Sequence, residues 1–176
     1  MAVVVAVVFN FAVAQSTAKK ERRSFVSTAS MVLFFVVFTI VLRLGIGNIV
    51  VSPALCTALE VAGDALVVLG AFCNVKGRFD LKNNWGDQIR IYDDHTLVTT
   101  GLYRYIRHPL YSGLFLIGYG AALVYVNWLG VVMMSAVFVP MMIHRAKLEE
   151  AVLGDTFKDY GEYMKRTGRF LPKIQR

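Results

Sequence analysis

The most restrictive feature of this chain is a run of 35 residues, Pro109 to Ile143, with no charged side chain. As one helix it would measure about 52 Å, well beyond the ~30 Å apolar core of a bilayer. Asn127-Trp128-Leu129-Gly130 falls near its middle, where a polar amide, an interface-seeking indole and a glycine signal a tight turn. The run therefore predicts a helical hairpin, with arms Pro109 to Val126 and Leu129 to His144.

Other apolar runs extend this pattern. Ser24 to Leu42 carries no charge over 19 residues and is long enough to span, with Arg43 placed to snorkel at its end. Gly45 to Pro53 reads as a loop, and Pro53 suits a helix start. Ala54 to Val75 is a third span. It carries Glu60 and Asp64, one turn apart, which mark either an ion path or acids turned toward the bundle interior or the interface. Ala2 to Ala14 is apolar but short. Ala12-Val13-Ala14 has the small-residue pattern of a cleavage site, yet no basic residue precedes the run, so a short first crossing is expected.

Composition agrees: 56% of residues are hydrophobic and 18% charged, and mean hydropathy is +0.54. A soluble domain carries more charge. The expected fold is all-α, a polytopic integral membrane protein of about five transmembrane helices, with a C-terminal hairpin, a cytoplasmic loop and a tail. The net charge of +7 is spread over separate loops, which argues against a nucleic-acid surface. Of the 19 Lys and Arg residues, all but Arg43 lie in the linker 19–23, the segment 76–107 or the tail 145–176. The positive-inside rule then places the N-terminus outside and the C-terminus in the cytoplasm. Cys56 and Cys73 are about 25 Å apart on one helix, too far for a disulfide.

Two charged clusters flank the hairpin on that cytoplasmic side. In the first, His108 precedes Pro109, a residue suited to the first helical position. The unpaired N–H groups of that first turn favour a carboxylate, and Arg104 and Arg107 add positive charge. In the second, Arg145 and Glu149 stand four residues apart, on one helix face just past the membrane exit. A guanidinium can orient a carboxylate, and a carboxylate can hold an ammonium. Either cluster can also be a plain interfacial anchor. The three histidines, His95, His108 and His144, lack zinc-ligand spacing, and no phosphate-binding glycine loop or serine elbow is present.

In order, the string is Gln88, His95-Thr96-Leu97-Val98, Gly101, Tyr103, Arg107-His108-Pro109-Leu110-Tyr111, a hairpin, then Arg145 and Glu149-Glu150. The ending follows: Tyr160, Tyr163 and Arg166-Thr167-Gly168-Arg169-Phe170-Leu171-Pro172. This arrangement resembles the isoprenylcysteine carboxyl methyltransferase family, over about half the chain. The wider superfamily it resembles includes phospholipid N-methyltransferases and, more distantly, sterol reductases. Leu102 stands where the family often has proline. The resemblance implies an S-adenosylmethionine-dependent methyltransferase built into the membrane. It divides the chain into N-terminal transmembrane helices, 1–75, and a methyltransferase core, 76–176. Gln88, His95, Thr96, Leu97, Val98, Tyr103, His108, Pro109, Leu110 and Tyr111 would line the cofactor. Glu149 would hold the cofactor's ammonium or ribose side, and Arg145 would face the methyl acceptor.

The expected reaction is methyl transfer to a lipid-like acceptor at the cytoplasmic interface, an isoprenylcysteine-type carboxylate first. N-methylation of a lipid amine is the alternative. It requires a base, for which Glu150 and His144 are available. A reductase of related fold and a small transporter using Glu60 and Asp64 are the remaining readings.

Overall fold

The computed structural model describes residues 24–81 and 96–173. Helix α1 is Ser24–Arg43 and α2 is Pro53–Leu81. A 3-10 turn, Gly101–Arg104, leads to α3, Pro109–Val124. Helix α4 runs Trp128–Thr156, with a π-helical stretch at Met134–Phe138, and α5 is Tyr160–Arg166. No strand forms among the described residues. Helices α2 and α4 are each 29 residues and apolar enough to cross a membrane, while α3 is shorter. The expected first crossing, 2–14, lies outside the described residues.

The surface is inverted relative to a soluble protein. On α1, Leu33, Val36, Val37 and Ile40 are exposed, and on α2 so are Val61, Val68, Leu69, Phe72 and Phe79. So much outward apolar surface suits contact with lipid. The inward core gathers Met31, Phe34, Phe38 and Leu42 of α1 with Ala122 of α3 and Met134, Phe138 and Met142 of α4. The Phe34 and Phe138 rings stack at 4.9 Å.

The α2–α3 seam is built differently. A Cβ at Gly63 would lie 2.6 Å from the Gly120 carbonyl oxygen, and one at Gly70 would lie 2.6 Å from that of Gly113. The two backbones meet directly, as small residues allow between membrane helices. Asn74 Nδ2 adds hydrogen bonds to the carbonyls of Gly70, 3.2 Å, and Leu110, 3.4 Å.

Several sequence expectations shift. Helix α2 ends at Leu81, not Val75, and so runs unbroken past the expected division at 75/76. Gly77, read as a breaker, is buried in that helix, against Leu110 and Pro109. Glu60 and Asp64 are exposed rather than turned inward, because the glycines occupy the stripe that faces α3. The hairpin turn lies at Tyr125–Asn127, one residue or more before the predicted centre, and Trp128 opens α4. Val126 adopts φ +46°, a strained value for a β-branched residue. The second arm does not stop at His144 but continues to Thr156.

Asn127 fastens this turn. Its side-chain oxygen accepts from the Gly130 N–H at 2.7 Å, capping α4. Its amide donates to Ile46 O at 2.9 Å and Asn48 Oδ1 at 2.7 Å, tying the hairpin to the α1–α2 loop.

Candidate functional site

At the other end of the hairpin, the charged residues converge. The chain enters α3 through the 3-10 turn. Gly101, at φ +61°, lies so close to Asp80 that a side chain would collide with the carboxylate. Asp80 Oδ2 accepts the Leu102 N–H at 2.8 Å. Proline, common in the family at this position, could not donate that bond. Tyr103 is buried, and its carbonyl accepts the Tyr163 hydroxyl at 2.6 Å.

The tail then pairs beside the α3 entry. Ile106 and Gly168 form a parallel bridge, Arg107 N–H donates to Gly168 O at 2.9 Å, and His108 N–H donates to Arg169 O at 3.0 Å. Ser112 Oγ donates to Phe170 O at 2.6 Å. This pairing carries Arg169 toward α4.

Glu150 is the hub it meets. Only 7% exposed, Glu150 accepts from Arg107 Nε at 2.9 Å and from Arg169 Nη2 at 2.6 Å. His108 Nε2 lies 3.3 Å from the same carboxylate. Arg107 also donates to the carbonyls of Thr167 and Met164. An acid buried this deeply is tolerable because two guanidiniums and a histidine surround it.

Glu149, one residue earlier, faces a second set. It accepts from the Tyr111 hydroxyl, and from Arg145 Nε at 3.2 Å. His108 Nδ1 is 3.4 Å from its other oxygen. Arg145 Nε also donates to Tyr111 Oη at 2.9 Å, and Arg145 Nη1 lies 3.4 Å from Met31 Sδ on α1. The His108 and Tyr111 rings stack at 5.4 Å, 9° from parallel. His108 thus bridges two carboxylates. Burial pushes its pKa down, but hydrogen bonds and charge from Glu149 and Glu150 outweigh this and raise it.

The structure brings together Tyr103, His108, Pro109, Leu110, Tyr111, Arg145 and Glu149 at this end of the hairpin. Thr96, Leu97 and Val98 lie in the irregular segment before the 3-10 turn. Gln88 and His95 lie outside the described residues. Arg104 does not join the cluster: its guanidinium sits 5.9 Å from the Tyr105 ring centroid, facing a separate pocket. Arg107 does join, but as a partner of Glu150 rather than as open positive charge. Sequence reasoning placed Glu150 only as a candidate base. The Arg169 signal was present in the tail, yet its partner depends on the pairing of Ile106 with Gly168, far apart in the chain. Tyr160 was also missed as a site element. It is 1% exposed, and its hydroxyl has no hydrogen-bond partner among the described residues.

Residues 63–155 match the model of the isoprenylcysteine carboxyl methyltransferase family. Among similar proteins, the protein-S-isoprenylcysteine O-methyltransferase of Schizosaccharomyces pombe is 37% identical over 82 residues, 46% of this chain and 35% of that protein. The Saccharomyces cerevisiae protein of the same name is 31% identical over 126 residues, 70% of this chain and 52% of its own. The Homo sapiens protein is 32% identical, covering 68% of this chain and 43% of its own. The chain thus spans about half the length of the relatives it matches, or less. A solved structure of the eukaryotic intramembrane Ras methyltransferase, an isoprenylcysteine carboxyl methyltransferase, superposes with a TM-score of 0.60 at 25% identity. That match covers 88% of this chain and 55% of the other.

Proposed function

The chain belongs to the isoprenylcysteine carboxyl methyltransferase family, and from that premise we propose that it methylates the carboxylate of an isoprenylcysteine-type acceptor, with S-adenosylmethionine as donor. It is an integral membrane protein. In this reading the charged end of the hairpin faces the cytoplasm and the N-terminus lies outside. Residues 76–176 form the methyl-transferring core, into which α2 continues without a break from the N-terminal membrane part, 1–75.

The observation that carries the reading is the Glu149–Tyr111–Arg145–His108 cluster. It combines anionic, cationic and aromatic groups where α3 and α4 meet the polar surface. S-adenosylmethionine, when bound, supplies an activated methyl group. Its own charges fit the residues: Glu149, still 21% exposed, suits an ammonium, and the stacked Tyr111 face suits a cation. The buried, unpaired Tyr160 hydroxyl also offers a hydrogen bond nearby. Gln88, His95, Thr96, Leu97, Val98, Tyr103, Pro109 and Leu110 would complete the wall around the cofactor.

Arg145 orients the acceptor's carboxylate. That group is already ionised at neutral pH, so no base is required, and the protein's task is positioning and exclusion of water. Arg145 also abuts Met31, at the edge of the apolar core of α1, where a lipid-like tail would lie. An amine acceptor would require a base. Glu150 is poorly suited, because two guanidiniums and His108 hold it as an anion.

The test is calorimetric titration of S-adenosylmethionine into the detergent-purified chain, paired with methyl transfer to a prenylated thiol-acid. Wild type is expected to bind, Glu149→Ala to lose binding, and Arg145→Ala to lose turnover while keeping affinity. A folded wild type that does not bind would overturn the reading. Equal loss of binding and turnover in Arg145→Ala would remove its acceptor role.

A further inference from the structure

The other face of the tail forms a second site. Thr167 and Arg169 turn toward Arg107 and Glu150, while Arg166, Pro172 and Lys173 join Arg104 and Tyr105 around a pocket of about 310 Å³. Among the described residues its lining holds three cations and no acid. No salt bridge engages Arg104, Arg166 or Lys173 among the described residues, and Lys173 Nζ donates to the Lys165 carbonyl at 2.6 Å. The nearby acid Glu162 is taken by Lys165. Uncompensated cations around one concavity favour an anion with several acceptor oxygens.

Location selects the source of that anion. Arg104 and Tyr105 stand five and four residues before Pro109, the first residue of the charge-free hairpin. Tyr105 is 57% exposed and Leu171, beside Pro172, is 77% exposed. An exposed tyrosine and leucine next to basic side chains form the profile of a surface at headgroup depth.

We propose that this pocket binds the phosphate-bearing headgroup of an anionic membrane phospholipid, at a site distinct from the Glu149 cluster. The inference does not depend on the methyltransferase reading. Because Arg169 pairs with Glu150 on one side of this tail segment while Arg166, Pro172 and Lys173 line the pocket on the other, the bound headgroup also braces the tail.

The test is native mass spectrometry of the delipidated full chain, offered phosphatidylserine or phosphatidylcholine with the same acyl chains. Wild type is expected to retain the anionic lipid roughly tenfold more strongly. The preference should vanish in Arg104→Gln/Arg166→Gln/Lys173→Gln and persist in Arg43→Gln, a single charge removal at the opposite end that matches Arg166→Gln. Arg166→Gln alone, on an exposed side chain, should shift it in the same direction. Equal retention of both lipids, or an unchanged preference in the triple variant, would overturn the proposal. Displacement of the anionic lipid by millimolar inorganic phosphate would reassign the pocket to a soluble anion.

Discussion

The two ends of the α3–α4 hairpin are fastened by different chemistry. At the turn, one neutral amide does the work: Asn127 caps α4 and reaches Ile46 and Asn48 across the loop. At the open end, a buried carboxylate gathers Arg107, Arg169 and His108. The neutral clamp holds geometry at small cost and is indifferent to pH and salt. The ionic hub costs desolvation and leaves partners stranded when one member is lost, but it can stand beside charged ligands. In the proposed function, the binding chemistry sits where the chain accepts that cost.

The sharpest way to break the contrast is Glu150→Ala. It strands Arg107, whose side chain is only 10% exposed, so a loss of about 3–5 kcal/mol is expected in detergent unfolding. Asn127→Ala removes a cap and two loop bonds, with no charge left behind. It should cost about 2 kcal/mol, unchanged between low and high salt.

The third test uses pH. The folded pKa of His108 is raised above its ordinary value, so its stabilisation is fully present below about 6.5 and fades as pH rises through the folded value. Melting temperature should therefore decline with rising pH in that window. His108→Gln should flatten the decline, whereas the slope of Asn127→Ala should match wild type. The smallest effect is expected from Glu162→Gln. Its 2.6 Å pair with Lys165 is solvent-exposed on both sides, so unfolding should not change measurably.

Sequence patterning located the membrane more accurately than the helices. The hairpin and the α1 boundaries followed from runs without charge. Helices α2 and α4 then overran their predicted ends by six and twelve residues, because hydropathy stops at the bilayer edge while hydrogen bonding does not. That overrun carries Asp80 to the 3-10 turn, and Glu149 and Glu150 to the site. Arg145 and Glu149 were legible as neighbours, since four residues make one helical turn. The Glu150 hub was not, because it requires the parallel bridge between Ile106 and Gly168.

The glycine seam has a mechanical consequence. With the carbonyls of Gly113 and Gly120 against Gly70 and Gly63, α2 and α3 touch backbone to backbone at these points, so the pair has little room to part and behaves as a fixed door-post. Across the bundle, α1 and α4 meet through Phe34, Phe138 and Met134, whose rotamers can change. In the proposed reading, a bulky apolar acceptor arriving sideways from the bilayer would find its door on the α1 side, with Arg145 behind it as the latch.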